Sequence, residues 1–192
     1  QSSEEREQFI KEYTNLLSEC VFIVTQEVEV PEGGKVKKAN VVATNDPGIS
    51  RVIDLHYKGE QIPYPENGKV VINDKLARDF ALSPGDYISI KINDAEIKEL
   101  LIGGIFENYI NNYIFMTAES YEELFGEEVA YKNAFAKAAS DELYPTAASL
   151  ADDDKVAVVS VVNDMRVMVE NMMQSLDYII WLVIACAGAL GF

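Results

Sequence analysis

The apolar positions along this chain change period several times, and each change marks an element. In SSEEREQFIKEYTNLLSE the apolar residues Phe9, Ile10, Tyr13, Leu16 and Leu17 recur at helical spacing, which predicts an amphipathic helix opened by a Ser2/Glu5 capping box. CVFIVTQEVEV then alternates, with Phe22, Val24, Val28 and Val30 on one face and Thr25, Glu27 and Glu29 on the other. Period two is the strand period. PEGGK is a turn, and KVKKANVVA returns as the second arm of a hairpin.

In the middle of the chain turn signals come more often. KVVINDKLARDFALSPGDYISIKI reads as strand, short helix, turn and strand, with Asn73 as N-cap and Leu76, Ala77 and Phe80 facing inward. NDAE leads into the strand IKELLIGGIF, then comes short aromatic NYIFM, and TAESYEELFGEE is a helix with Thr117 as N-cap and Gly126 beyond its end. Later, NAFAKA predicts a strand, SDELYPTAASL a helix interrupted by Pro145, and KVAVVSVV a buried strand. The expected fold class is α+β. Residues 1–45 plus 131–163 form a discontinuous βα-type subdomain, 46–130 is a β-rich insertion in it, and 164–192 is one long stalk helix running into a truncated transmembrane segment.

That last helix is predicted by Met165, Val169, Met172, Leu176, Ile179 and Val183, spaced alternately by four and three as a heptad seam. Met165, Met168, Met172 and Met173 would also suit an adaptable apolar contact surface. After Asp177 no residue is charged. Fifteen helical residues reach about 22 Å at 1.5 Å each, whereas a membrane core of about 30 Å needs roughly 20. A buried core helix is therefore one reading. Tyr178 and Trp181, residue types that gather at headgroups, favour the other, a membrane anchor cut short by the end of the sequence. Gln1 at the start, without a leader, likewise reads as a piece of something longer.

Charge changes the picture next. With 32 acidic against 16 basic residues the net charge is −16, so the chain lacks the basic footprint of a nucleic-acid binder and would be repelled by an anionic bilayer surface. Cys20 and Cys186 make no disulfide framework, and the single histidine, His56, allows neither a multi-histidine metal site nor a full catalytic triad. The expectation is no catalytic residue, no cofactor and no metal. Glu122/Glu123, Glu127/Glu128 and Asp152–Asp154 read as solvated charge. The most promising loop is NYINNY, in which Tyr109, Asn111, Asn112 and Tyr113 could form a platform for a sugar or peptide, or pack a turn.

Three stretches in this order, VVINDKLARDFALSPGDYISI, IGGIFENYINNYIFMTAESYEELFGEE and SLDYIIWLVIACAGALGF, resemble the extracytoplasmic domain of an FtsX-like ABC transporter permease of the MacB-type periplasmic core class. The likeness runs from about residue 40 to the end. It implies a non-enzymatic domain in a bacterial cell membrane protein, partnered by an ABC ATPase subunit and by a permease copy or second permease half. No GxxxxGK[ST] segment is present, so ATP would be hydrolysed elsewhere. The seam Met165, Val169, Met172 and Leu176 would then be a stalk coupling that hydrolysis to export or extraction of a peptide or lipid-linked substrate. The alternative is a membrane-anchored ligand-binding or sensor domain without a transport partner.

Overall fold

A computed structural model describes residues 3–108, 110–139, 143–153 and 156–161. The chain divides into two compact units, residues 1–139 and 140–192.

The first unit is built on β1 (Leu17–Glu32), β2 (Lys35–Ala43), β5 (Lys69–Asn73), β6 (Tyr87–Asn93), β7 (Glu96–Phe106), β8 (Tyr113–Met116) and β9 (Asn133–Ala138). Their order is β2-β8-β5-β7-β6-β1-β9, and β1 also pairs with β2. Six strands therefore close on themselves as a barrel, which removes most of the edge an open sheet would expose. Two contacts are parallel, β2 with β8 and β5 with β7, and the others are antiparallel. Two further strands, β3 (His56–Tyr57) and β4 (Glu60–Gln61), make a separate hairpin.

Alternation explains what fills the barrel. Val24, Val28 and Val30 of β1, Ala39, Val41 and Ala43 of β2, and Ile88 and Ile90 of β6 share one buried cluster with Val70, Ile72, Ile102, Ile114 and Met116. Two helices add to it: α3 (Asp74–Phe80) supplies Leu76 and Ala77, and α4 (Ala118–Phe125) supplies Tyr121 and Leu124. The intervening residues of the same strands, Val21, Ile23, Val42, Val71 and Phe115, form a second cluster, covered by Ile49 of the short helix α2 (Ile49–Val52) and by Leu55. β1 holds the unit together lengthwise. Leu17–Ile23 pair with β9, and Val24–Glu32 pair with β2. Cys20 lies in the first of these stretches; burial first, and the charge of Asp46 second, push its thiol up to about 11, so it is a protonated packing group at neutral pH.

Several expectations change. The first helix, α1, spans Ser3–Glu12 and stops before Leu16 and Leu17; Leu17 instead opens β1, because its strand partners in β9 outweigh a helical spacing that a strand start also satisfies. Ser2 of the supposed capping box lies outside the described residues. Asn73 does occupy the N-cap of α3, yet its side chain makes no cap hydrogen bond. Thr117 does cap α4, accepting from the Ser120 N–H, and Gly126 closes that helix at φ 72°. In the second unit, α5 (Leu143–Ala151) contains Pro145 in its first turn, where a missing N–H breaks no helical bond; the proline does not interrupt it. KVAVVSVV is not a buried strand over its described residues 156–161, and Val158 is 80% exposed. Apolar β-formers need a strand edge to pair with, and among the described residues of the second unit there is none.

Candidate functional site

The loop between β7 and β8 is held from below by the end of β5. Asn73 is fully buried; its Oδ1 accepts from the Tyr113 N–H at 3.1 Å and its Nδ2 donates to the Asn111 carbonyl at 3.4 Å. That is why the side chain is unavailable to cap α3. Asn108 works within the loop, donating through Nδ2 to the Ile110 carbonyl at 2.6 Å. Asn112 is buried and donates to the Lys38 carbonyl at 2.9 Å, while its own carbonyl accepts from Asn40 N–H at 2.8 Å. Its Oδ1 is buried without a partner among the described residues. Asn111 is exposed and left-handed at φ 60°, a conformation asparagine tolerates better than most side chains. The Tyr113 ring stacks on Phe115 at 6.2 Å and 20°.

Of the residues singled out by sequence, Asn111, Asn112 and Tyr113 are thus brought together at the head of β8. The amide of Asn112 and the ring of Tyr113 are engaged within the fold, and the Asn111 side chain points to solvent. Tyr109, Met165, Val169, Met172 and Leu176 lie outside the described residues. Replacing Asn73 by alanine would remove the acceptor of the Tyr113 N–H and leave the Asn111 carbonyl with Asn108 Nδ2 alone, at 3.4 Å. We expect a loss of about 1–3 kcal/mol in denaturant unfolding, with faster amide exchange at Tyr113. A loss below about 0.5 kcal/mol would show that the loop does not depend on this anchor.

Next to the loop lies a feature that the sequence reading passed over. An open groove of about 560 Å³ runs between α3, the 81–84 turn, the Gly103–Ile105 stretch of β7, and Tyr57, Ile62 and Pro63 beside the β3–β4 hairpin. The Asp74 carboxylate lines it at 6% exposure and forms an ion pair with Arg78, whose side chain is 65% exposed. Gly104 is glycine for a packing reason, since a Cβ there would stand 2.9 Å from the Ile62 side chain. The adjacent GG in IGGIF was the available signal, because glycine inside a strand marks a bulge or a close backbone approach.

The groove's outer wall is fixed by Glu107. Its N–H donates to the His56 carbonyl at 2.7 Å and its Oε1 accepts from Lys58 N–H at 2.8 Å. His56 is half exposed, with Nδ1 3.3 Å from Asp54 and Nε2 3.7 Å from Glu107. The two carboxylates sit on opposite ring nitrogens, and among the described residues neither bonds to a serine, threonine or cysteine side chain. Among the described residues no three histidine, cysteine or carboxylate groups gather as a metal would need.

The fold is shared with the extracellular domain of an ABC-type transporter, so the resemblance read from the sequence holds at the level of fold. The extracellular domain of the noncanonic ABC-type transporter YknZ from Gram-positive bacteria superposes with a TM-score of 0.52 at 13% identity, over 79% of this chain and 83% of that one. The periplasmic region of MacB from Actinobacillus actinomycetemcomitans gives 0.49 at 12% identity, over 76% and 68%. A domain of a putative permease from Porphyromonas gingivalis gives 0.41 at 13%, over 74% and 65%. No protein-family model matches the chain, and no curated protein does.

Proposed function

We propose that the chain is the extracytoplasmic domain of an ABC transporter permease, itself without catalytic residues, and that it passes motion from an ATPase on the cytoplasmic side to a substrate outside. The observation that carries this is the shared fold with the YknZ extracellular domain, over 79% of this chain and 83% of that one. The uncharged run after Asp177 supports a membrane attachment. Among the described residues no helix is long and apolar enough to cross a membrane. In this reading the seam Met165, Val169, Met172 and Leu176 is the stalk. The substrate class is a peptide or a lipid-linked molecule handled at the outer leaflet.

The groove beside α3 favours a second reading, a membrane-anchored sensor that binds a ligand and has no transport partner. One experiment separates the two. The intact parent protein is extracted from membranes in mild detergent and assayed for co-purifying ATPase activity. An ATPase that stays bound through purification is the expected result. A parent protein that comes out alone and without ATP turnover would overturn the transport reading and leave the sensor.

A further inference from the structure

β7 is eleven residues long, and its two flanks are not equally used. On one side β5 pairs with it as far as Phe106. On the other, β6 pairs with it only up to Leu101, opposite Tyr87. One step further the turn leading into β6 still bonds it, Gly85 N–H to the Ile102 carbonyl and Ile102 N–H to the Asp86 carbonyl, each at 2.8 Å. Beyond Ile102, among the described residues, no strand pairs with β7 on that flank. Ser83 and Pro84, from the same turn, line the groove beside Gly103, Gly104 and Ile105. The unpaired flank therefore opens where the groove lies.

Two details of Gly103 suit a visiting main chain. The β5–β7 register shifts there, with Val70 opposite Ile102 and Val71 opposite Gly104, so Gly103 is an extra residue in a bulge. It is also exposed and carries no side chain, which lets another backbone come close. An exposed strand edge with free N–H and C=O groups is a template for one more strand. The remaining walls are apolar, from Tyr57, Ile62, Pro63, Leu82 and Pro84, and the one ion pair in the groove is internally neutral.

We propose that this groove binds an extended peptide segment of a partner protein, which adds as a short strand along Gly103–Ile105 and seats alternate apolar side chains against Tyr57 and Leu82. The net charge of −16 repels acidic segments, so the partner segment is neutral or basic. The inference stands on the groove alone and does not need the transport reading.

The test is a random dodecapeptide library displayed on phage, selected on the whole chain and counter-selected on the Gly103→Val variant. A Cβ at 103 would stand 3.4 Å from the Lys69 side chain and 3.7 Å from the Val70 carbonyl, and valine adds β-branched bulk at the residue the visiting main chain has to approach. Should the variant melt early, Tyr57→Ala on the opposite wall takes its place. Expected winners alternate β-branched or aromatic residues, lack proline in that stretch, and bind the wild type at least tenfold more tightly than the variant. They also slow amide exchange at Gly103–Ile105. N-methylation of alternate residues in the best peptide, which deletes its main-chain donors, is expected to weaken it at least tenfold. No variant-sensitive sequence, proline-rich winners, or an N-methylated peptide that binds as well would each overturn the proposal.

Discussion

Ile72→Ala is expected to destabilise the first unit by about 3 kcal/mol, within the roughly 2–5 kcal/mol that large-to-alanine changes cost in packed cores. Ile72 is wholly buried in β5, where it stands opposite Ile105 of β7 and Ile114 of β8. Its side chain therefore meets neighbours from both flanks of the barrel and from Leu76 of α3, all in one cluster. The site has little freedom to collapse onto a void, because β5 is fixed by hydrogen bonds to β7 on one side and β8 on the other, so the cavity term adds to the lost transfer energy. Since a domain of this kind is stable by only about 5–15 kcal/mol, the loss is a large fraction of the total. For a chain of this length the midpoint should fall by roughly 6–12 °C in calorimetry. Ile97→Ala is the control: Ile97 is 57% exposed in the same sheet, and its change should stay within about 0.5 kcal/mol. Equal losses at the two positions would mean that the barrel interior is wrongly placed.

The same contrast shows what the sequence revealed and what it hid. Where one face of a strand is buried and the other is not, alternation is plain, as in YISIKI of β6 with Ile88 and Ile90 inside; KVKKANVVA and NAFAKA also become β2 and β9 with their boundaries intact. Where both faces are buried, as around Val21–Val24, period two still shows but no longer says which residues fill the barrel. Closure itself leaves no local mark. The parallel pairings of β2 with β8 and of β5 with β7 join residues far apart in the chain, and nothing in VVA or YIFM names its neighbour. Asn73 holds the N-cap position read for it but does not cap with its side chain, for a related reason. Its position before DKLARDF is a sound cap signal, yet a loop forty residues away claims the side chain. KVAVVSVV misled through composition, because β-propensity records a fit to a sheet and cannot supply one. The groove was legible only as the paired glycines of IGGIF.

In the intact membrane protein, Val169→Pro is expected to reduce the ATPase activity of the co-purified complex at least tenfold while the unfolding midpoint of the extracytoplasmic domain stays unchanged. This rests on the proposed function. The seam Met165, Val169, Met172 and Leu176 has the spacing of a helix that packs lengthwise on another, and residues 164–187 contain neither glycine nor proline. Such a segment can carry force along its axis only if its hydrogen bonds are continuous. Proline in the interior removes one of them, clashes with the preceding turn and costs about 3 kcal/mol or more, so it converts a lever into a joint. Fold stability should not follow, because both buried clusters among the described residues are formed within residues 1–139. Val169→Ile separates the lever from the side chain. It keeps the helix and a β-branched apolar residue in the seam, and activity should remain within about twofold of the wild type. If the proline variant turns over ATP as the wild type does, the motion reaches the outer domain by some route other than a stiff helix, and the stalk assignment falls while the fold assignment stands. If the isoleucine variant fails as badly as the proline one, the seam matters for its fit to a neighbouring helix rather than for its continuity.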